Sequence, residues 1–300
     1  MLKIAYHPIY KYPLPKGHRF PMEKYELLPQ QLLHEGTCTA ENFFAPKMPS
    51  EEDIIAIHTP EYFESLINLT IDKKAARKIG FPLSETLVER ELRIAQGTIE
   101  GSEYALKHGI AMNIAGGTHH AYANHGEGFC MLNDQAIAAR YLQKKGFAKK
   151  ILIVDLDVHQ GNGTAEIFEN DDSIFTFSMH GAGNYPFKKE KSDLDIAVPD
   201  GSGDEVYLQK LTEIFPKLIE KQQPDFIFYL SGVDILETDK LGRLNCTVEG
   251  CKKRDRFVLG ICKDLNIPVQ VSMGGGYSPE IKTIIEAHAN TFRAAQEIFF

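Results

Sequence analysis

Apolar and polar positions alternate in blocks along the 300-residue chain. "ILIVD" (151–155), "DFIFYLSG" (225–232) and "IPVQVSM" (267–273) run apolar over strand length, as strands buried on both faces do. Between such blocks, apolar residues recur every three or four positions, the stripe of an amphipathic helix. The pattern predicts strands at 2–6, 110–115, 150–155, 173–178, 225–230 and 267–272. It predicts helices near 23–35, 60–69, 84–107, 134–146, 204–222, 248–265 and 279–298. Ser84 before Glu85 and Asp204 before Glu205 read as helix caps. "YKYPLPKGHRFPMEKY" (10–25) reads as an ordered loop over the fold. Strand and helix alternation argues for an α/β protein with a parallel sheet between helical layers. No repeat or low-complexity linker divides the chain, so one domain over 1–300 is expected.

Open parallel sheets bind ligands beyond the carboxyl ends of their strands. The unusual residues of this chain fall there. "IAMNIA" is followed by "GGTHHA", which contains His119 and His120. "ILIV" is followed by "DLDVHQGNG", "IFTF" by "SMHGAG", "FIFYL" by "SGVD" ending at Asp234, and "VQVSM" by "GGGYSP" with Tyr277. In a parallel sheet these five ends share one edge.

Each piece has an ordinary explanation. Strand alternation puts Asp155, Asp157 and His159 on one face, and such a cluster is either a salt-bridged corner or a metal site, because isolated buried charge is costly. His119 and His120 suit a hydrogen-bonded buried pair, Asp234 a turn cap, and Tyr277 a ring packed in a glycine turn. "GGG" at 274–276 lacks the spacing of a phosphate-binding loop. Converging on one edge with few basic partners nearby in sequence, the acids point to a cation. Two carboxylates and one imidazole make the three-ligand set of a catalytic zinc with one position open; Fe(II) accepts the same set. Such a metal lowers the pKa of bound water and polarises a carbonyl. A histidine pair can carry the proton to a leaving nitrogen, and a phenol can donate to an oxyanion. Together these make metal-assisted hydrolysis of an amide.

Composition narrows the class further. Hydrophobic residues make up 43% of the chain, ample for a large core. With 33 basic and 41 acidic residues the formal net charge is −8, which disfavours nucleic-acid phosphates and anionic membranes as partners. No apolar run approaches the roughly 18 residues of a membrane span. The five cysteines form no Cys-x-x-Cys pair, which disfavours a thiolate zinc site and suits a reducing compartment. The first residues, "MLKIAYHP", read as a strand and not as a secretory signal. A soluble cytoplasmic protein is expected.

In order and spacing, "GGTHHA", "GEGFCMLND", "DLDVHQGNGT", "SGVD" and "GGGY" resemble the motifs of the histone deacetylase family. The likeness runs from "GHRFPM" to "GGGYSP", and "DVHQGNG" with "LPKGHRFPMEKY" looks most like class IV and bacterial members. The resemblance implies a three-layer αβα arginase/deacetylase fold with a central, mostly parallel sheet of about eight strands. It implies a zinc-dependent amidohydrolase that removes acetyl or longer acyl groups from the side-chain nitrogen of lysine, in a protein or peptide. On that resemblance Asp157, His159 and Asp234 match the zinc ligands, and His120 the general base and acid. His119, paired with Asp155, matches the neighbouring electrostatic histidine, and Tyr277 the carbonyl-polarising tyrosine. Asp155, Asp157, His159, Ser178 and Met179 match a structural potassium site. Gly128 and Phe129 match one wall of the acyl-lysine tunnel with Gly275 opposite, and Arg19 matches the arginine of the inner channel beneath the zinc.

Asn162 stands where class I members have an aspartate that orients the second histidine; class IV-like members share the asparagine. An amide fixes the tautomer but supplies no negative charge, so Asn162→Asp is expected to raise the acidic limb of the pH–rate profile. Within the same chemistry the family also includes acetylpolyamine amidohydrolases and acetoin-utilisation-type proteins, which widens the substrate to small acylated amines. A catalytically silent acyl-lysine binder on the same fold is the alternative from another class.

Overall fold

A computed structural model describes residues 1–300. Eight strands form one sheet: β1 (Lys3–Ala5), β2 (Phe43–Phe44), β3 (Ile110–Asn113), β4 (Ile151–Asp155), β5 (Ile174–Gly181), β6 (Leu194–Val198), β7 (Phe226–Leu230) and β8 (Val269–Ser272). Their order is β2-β1-β3-β8-β7-β4-β5-β6, and every pairing is parallel. The helices are α1 (Lys24–His34), α2 (Glu51–Ile55), α3 (Pro60–Ile67), α4 (Lys73–Ile79), α5 (Glu85–His108), α6 (Asp134–Lys144), α7 (Asn162–Phe168), α8 (Asp204–Gln222), α9 (Val248–Asp264) and α10 (Ile281–Phe299). The αβα architecture expected from the sequence is the one observed, with a sheet that is parallel throughout.

All six strands expected from the apolar blocks are present, and β3, β4, β7 and β8 are buried at every residue. The two unexpected strands lie at the sheet edges. β2 is two residues long, and β6 is mostly half-exposed; neither needs the apolar run that marks a central strand. One apolar cluster extends from Leu2 to Ala295. The 10–25 segment is irregular but ordered, burying Tyr10, Tyr12, Phe20 and Met22. No helix is long and apolar enough to cross a membrane.

Ser84 caps α5, its Oγ accepting from the Leu87 N–H at 3.1 Å. Asp204 differs from the expected cap. Gly203 occupies that position, and the Asp204 carboxylate reaches to α9, accepting from the Thr247 N–H (2.8 Å) and hydroxyl (2.6 Å).

The crossings place the site. After β3 the chain moves to β4 and outward through β5 and β6, then returns to fill the gap between β4 and β3 with β7 and β8. Such a reversal opens a crevice at the carboxyl ends. The loops after β3, β4, β7 and β8 therefore meet, and they carry His119–His120, Asp157–His159, Asp234 and Tyr277.

Candidate active site

Two short turns carry the chain out of β4. The Asp157 N–H donates to Asp155 Oδ1 (3.1 Å), and the His159 N–H donates to Asp157 Oδ1 (3.0 Å). Asp234 arrives from the loop after β7 and accepts the Val158 N–H through Oδ1 (2.9 Å). Asp157 Oδ2 accepts the Gly275 N–H (2.8 Å). Both carboxylates are thus fixed by backbone donors. The remaining Asp234 Oδ2 is buried and accepts no hydrogen bond.

Asp157, His159 and Asp234 are all buried, and one donor atom from each falls within 4.8 Å of the others. His159 Nδ1 lies 3.1 Å from Asp157 Oδ1 and 3.2 Å from Asp234 Oδ2. Two donors on one zinc, each about 2.0–2.1 Å from it, sit a little over 3 Å apart, so the set fits such an ion. Burial, then the nearby Asp157 charge, raises the Asp234 carboxyl to about 7. Burial would lower His159, but the Asp157 hydrogen bond and the adjacent charges of Asp157 and Asp234 outweigh it and raise the imidazole to about 10. The pocket attracts positive charge. Gly275 is required beneath it, because a Cβ there would lie 2.0 Å from Asp234 Oδ2 and 2.8 Å from Asp157 Oδ2.

The histidine pair lies beside this set, with ring centroids 4.1 Å apart. His119 Nδ1 meets Asp155 Oδ2 at 2.6 Å, and His120 Nδ1 meets Asn162 Oδ1 at 2.6 Å. Burial opposes charge on both rings, but the Asp155 and Asp157 carboxylates outweigh it at His119 and raise that group. At His120 burial is joined by the charges of His119 and His159, which hold it well below the usual histidine range. Neighbouring groups with opposed shifts divide acid and base roles. Asn162 Nδ2 donates to Glu127 Oε1 (2.7 Å) and to the Tyr122 hydroxyl (2.9 Å), so its carbonyl oxygen faces His120. His120 therefore carries its proton on Nδ1 and presents a free Nε2.

Tyr277 is held by its own N–H, which donates to Asp239 Oδ2 (2.6 Å). Burial, then the charges of Asp234 and Asp157, raises its phenol well above the usual range, so it stays a donor. Phe129, in the left-handed region at φ 69°, packs its ring 6.1 Å from that of Tyr277. Gly128 precedes it at φ 57°, where a Cβ would meet His120 Cδ2 at 2.6 Å. Tyr185 stands edge-on to His120 at 5.0 Å.

An outer pocket of about 500 Å³, lined by Phe129, Tyr185, His120, His159 and Tyr277 among others, opens to solvent. An inner cavity of about 40 Å³ shares His120, His159, Phe129 and Tyr277 and continues past Gly275 to Tyr25, Phe81 and Arg90.

The structure brings together Asp155, Asp157, His159, Asn162, Asp234, His119, His120, Tyr277, Gly128, Phe129 and Gly275. Ser178 pairs in register with Asp155 on the adjacent strand, with Met179 next along. Arg19 is the exception. Matched to the inner channel, it is exposed at the outer pocket with its guanidinium 4.9 Å over the Phe129 ring. Phe20 turns inward and Arg19 outward within the same irregular segment. The buried cations of the inner end are Lys24 and Arg90. Lys24 Nζ donates to the Gly274 carbonyl (3.1 Å), and Arg90 Nε to the Tyr10 carbonyl (2.8 Å). Sequence reading missed both. The signal was a cation on the apolar stripe of a helix: Lys24 precedes Leu28 and Leu32 at four-residue spacing, and Arg90 lies between Leu87 and Ile94. It also missed Tyr185, four residues beyond the end of β5, and Glu127, in the long loop after β3.

A family model described as "Histone deacetylase domain" matches residues 18–292. The chain belongs to the histone deacetylase family and is a hydrolase of amide bonds. It is 44% identical to an uncharacterized protein of Picosynechococcus sp., covering 99% of each chain. It is 31% identical to a probable deacetylase of Archaeoglobus fulgidus, covering 92% of this chain and 81% of that one. Among solved structures it is similar to an HDAC homolog complexed with SAHA: 25% identity, TM-score 0.85, 99% of this chain and 84% of that one.

Proposed function

We propose that the chain, as one domain, is a zinc-dependent deacylase of N-acylated lysine or a chemically similar acylated amine. The observation that carries this reading is the joint geometry of Asp157, His159 and Asp234, with an unpartnered buried Asp234 oxygen, beside a neutral His120 with a free Nε2. Asp157, His159 and Asp234 would hold the metal, which when bound supplies Lewis acidity to a water and to the substrate carbonyl. His120 Nε2 takes a proton from the water and delivers it to the leaving nitrogen. His119, charged against Asp155, favours negative charge developing at the reacting carbon's oxygen substituents. Tyr277 donates its phenolic proton in a hydrogen bond to the carbonyl oxygen. Phe129 and Tyr185 hold the alkyl chain of the substrate and exclude water. Arg19, at the outer rim, is positioned to meet the rest of the substrate.

Fe(II) suits the same ligands, and metal analysis of the purified protein separates the two. The potassium reading has support of its own: the buried carbonyls of Asp157 and His159 accept no backbone N–H, and Ser178 lies in register with Asp155. The five cysteines, all buried and unpaired, agree with a cytoplasmic setting.

The deciding experiment is hydrolysis of an acetyl-lysine peptide by metal-loaded protein, with His120→Ala as the comparison. Wild-type turnover and a loss of at least about a hundredfold in the variant are expected. Equal activity in the two would refute the assignment. Zinc bound without turnover of any acyl-amine would favour the silent acyl-lysine binder.

A further inference from the structure

The charges around the outer pocket carry information about the substrate that the reacting groups do not. Three cations line the mouth: Arg19, Lys78 and Arg243. The only carboxylate lining it is Glu127. That carboxylate is turned inward, where one oxygen accepts both the Asn162 amide (2.7 Å) and the Tyr185 hydroxyl (2.5 Å). Arg19 rests over the Phe129 ring, and neither it nor Lys78 has a carboxylate partner. Arg243 meets Asp200 at 3.2 Å, with both side chains about half exposed, a pair that contributes little and yields readily to a competing anion. This basic ring sits on a chain of net charge −8. It is therefore a local feature of the mouth and not a by-product of a basic surface.

A cationic acylpolyamine would bring its charged amine among these three cations, where the one lining carboxylate, Glu127, is already engaged by Asn162 and Tyr185. A carboxylate at the outer end of the same alkyl chain would meet two unpaired cations at short range, where salt screening is weakest. Resting on the deacylase reading above, we propose that the mouth selects acylated amines bearing a carboxylate at the far end of the alkyl chain from the acyl group and rejects acylated polyamines. That carboxylate can belong to acidic residues flanking an acyl-lysine in a peptide or to the α-carboxylate of a free Nε-acyl-lysine.

The test measures kcat/KM at low and high salt for acetyl-lysine peptides flanked by Asp, Ala or Lys, for free Nε-acetyl-lysine and its carboxamide, and for acetylputrescine. Metal-loaded wild-type protein is compared with Arg19→Glu and Lys78→Glu, with thermal melts to confirm folding. The Asp-flanked peptide is expected to exceed the Lys-flanked one by about tenfold or more at low salt, with the gap shrinking at high salt and reversing or closing in the variants. The two carboxylate sources separate in the same data: a large acid-to-amide ratio for free acetyl-lysine marks the small-molecule source, a large Asp-to-Ala ratio the peptide. Lys-flanked peptide or acetylputrescine turned over as well as the acidic substrates would overturn the proposal, as would an unchanged order in both variants. The Ala-flanked peptide keeps the two readings apart. If it is hydrolysed without any charge preference, the mouth proposal alone fails. If nothing is hydrolysed, the deacylase reading fails, and anisotropy binding of the labelled Asp-, Ala- and Lys-flanked peptides still decides the charge order.

Discussion

Glu127 holds Asn162: its Oε1 accepts the Asn162 amide N–H at 2.7 Å, and the other end of that amide accepts from His120 Nδ1 at 2.6 Å. The negative charge that an asparagine lacks is therefore present one residue further out. This changes what Asn162→Asp should do. A carboxylate at 162 would face Glu127 at hydrogen-bond distance, and two like charges so close push one pKa up until a proton is shared. The single substitution is then expected to move the acidic limb of kcat/KM little and to lower kcat. Asn162→Asp combined with Glu127→Gln is expected to raise that limb, as the sequence alone suggested for the single change. Glu127→Leu, which removes the acceptor, is expected to lower kcat/KM by about 10- to 100-fold, the usual scale for a residue that orients a reacting group. A Glu127→Leu enzyme within twofold of wild type would count against the arrangement.

The inner cavity sets a limit on the acyl group. Its roughly 40 Å³ is walled by Tyr25, Phe81, Arg90 and Ile94, and a water needs about 10–15 Å³ of such space. An acetyl methyl fits, but several added methylenes do not fit without displacing aromatic side chains, at about 1–3 kcal/mol or more. Acetyl-lysine peptide is expected to outpace the butyryl form by roughly tenfold or more on that scale, with octanoyl and myristoyl slower still. Phe81→Ala should narrow the gap. A chain-length series on one peptide checks this, and octanoyl turnover equal to acetyl would refute it.

The parts legible in the sequence were those whose physics is local. Apolar runs marked the six inner strands because burial on both faces demands them, and the polar residues after them marked one sheet edge. Asp157, His159, Asp234, His119, His120 and Tyr277 followed from that edge. What the sequence concealed depended on contacts distant along the chain. Glu127 matters because Asn162 reaches it across 35 positions. Lys24 matters because its ammonium reaches Gly274, 250 positions away. Arg19 and Phe20 are neighbours, and no periodicity in an irregular segment says which of them turns inward.

Lys24 gives a pH dependence of stability. Burial lowers its ammonium from 10.5 to about 8, against the opposing pull of Asp234 and Asp157. Between pH 8 and 10.5 the unfolded chain holds this proton more than the folded one does, so the contribution of Lys24 to stability rises with pH across that window. Below pH 8 its full penalty is present, on the order of 3 kcal/mol. Lys24→Met removes this dependence. Urea unfolding of both proteins at pH 7.5 and 9.5 checks it: wild type should gain on the variant at the higher pH. A difference that stays constant with pH would show that the ammonium is not desolvated as described.

Arg254 ties together the two loops that carry the proposed metal ligands. Fully buried, it donates through Nη1 to the carbonyls of Leu156 (3.2 Å) and Gly232 (2.6 Å), and through Nη2 to Ser231 (3.2 Å). Leu156 precedes Asp157, and Gly232 lies two residues before Asp234. Its own charge is met by Asp255, which Tyr229 and Thr291 also hold. Arg254→Met strands a buried carboxylate and is expected to cost about 3–5 kcal/mol. Arg254→Lys is the more informative change. It keeps the charge but loses the planar fork, leaving one or two loop carbonyls unpaired at about 1–3 kcal/mol each. With the loops loosened, the distances among Asp157, His159 and Asp234 are no longer enforced. Arg254→Lys is therefore expected to lower Tm by several degrees and weaken zinc binding by about 10- to 100-fold, measured by titrating metal-stripped protein. A variant that melts lower but binds zinc as tightly as wild type would restrict Arg254 to stabilising the fold.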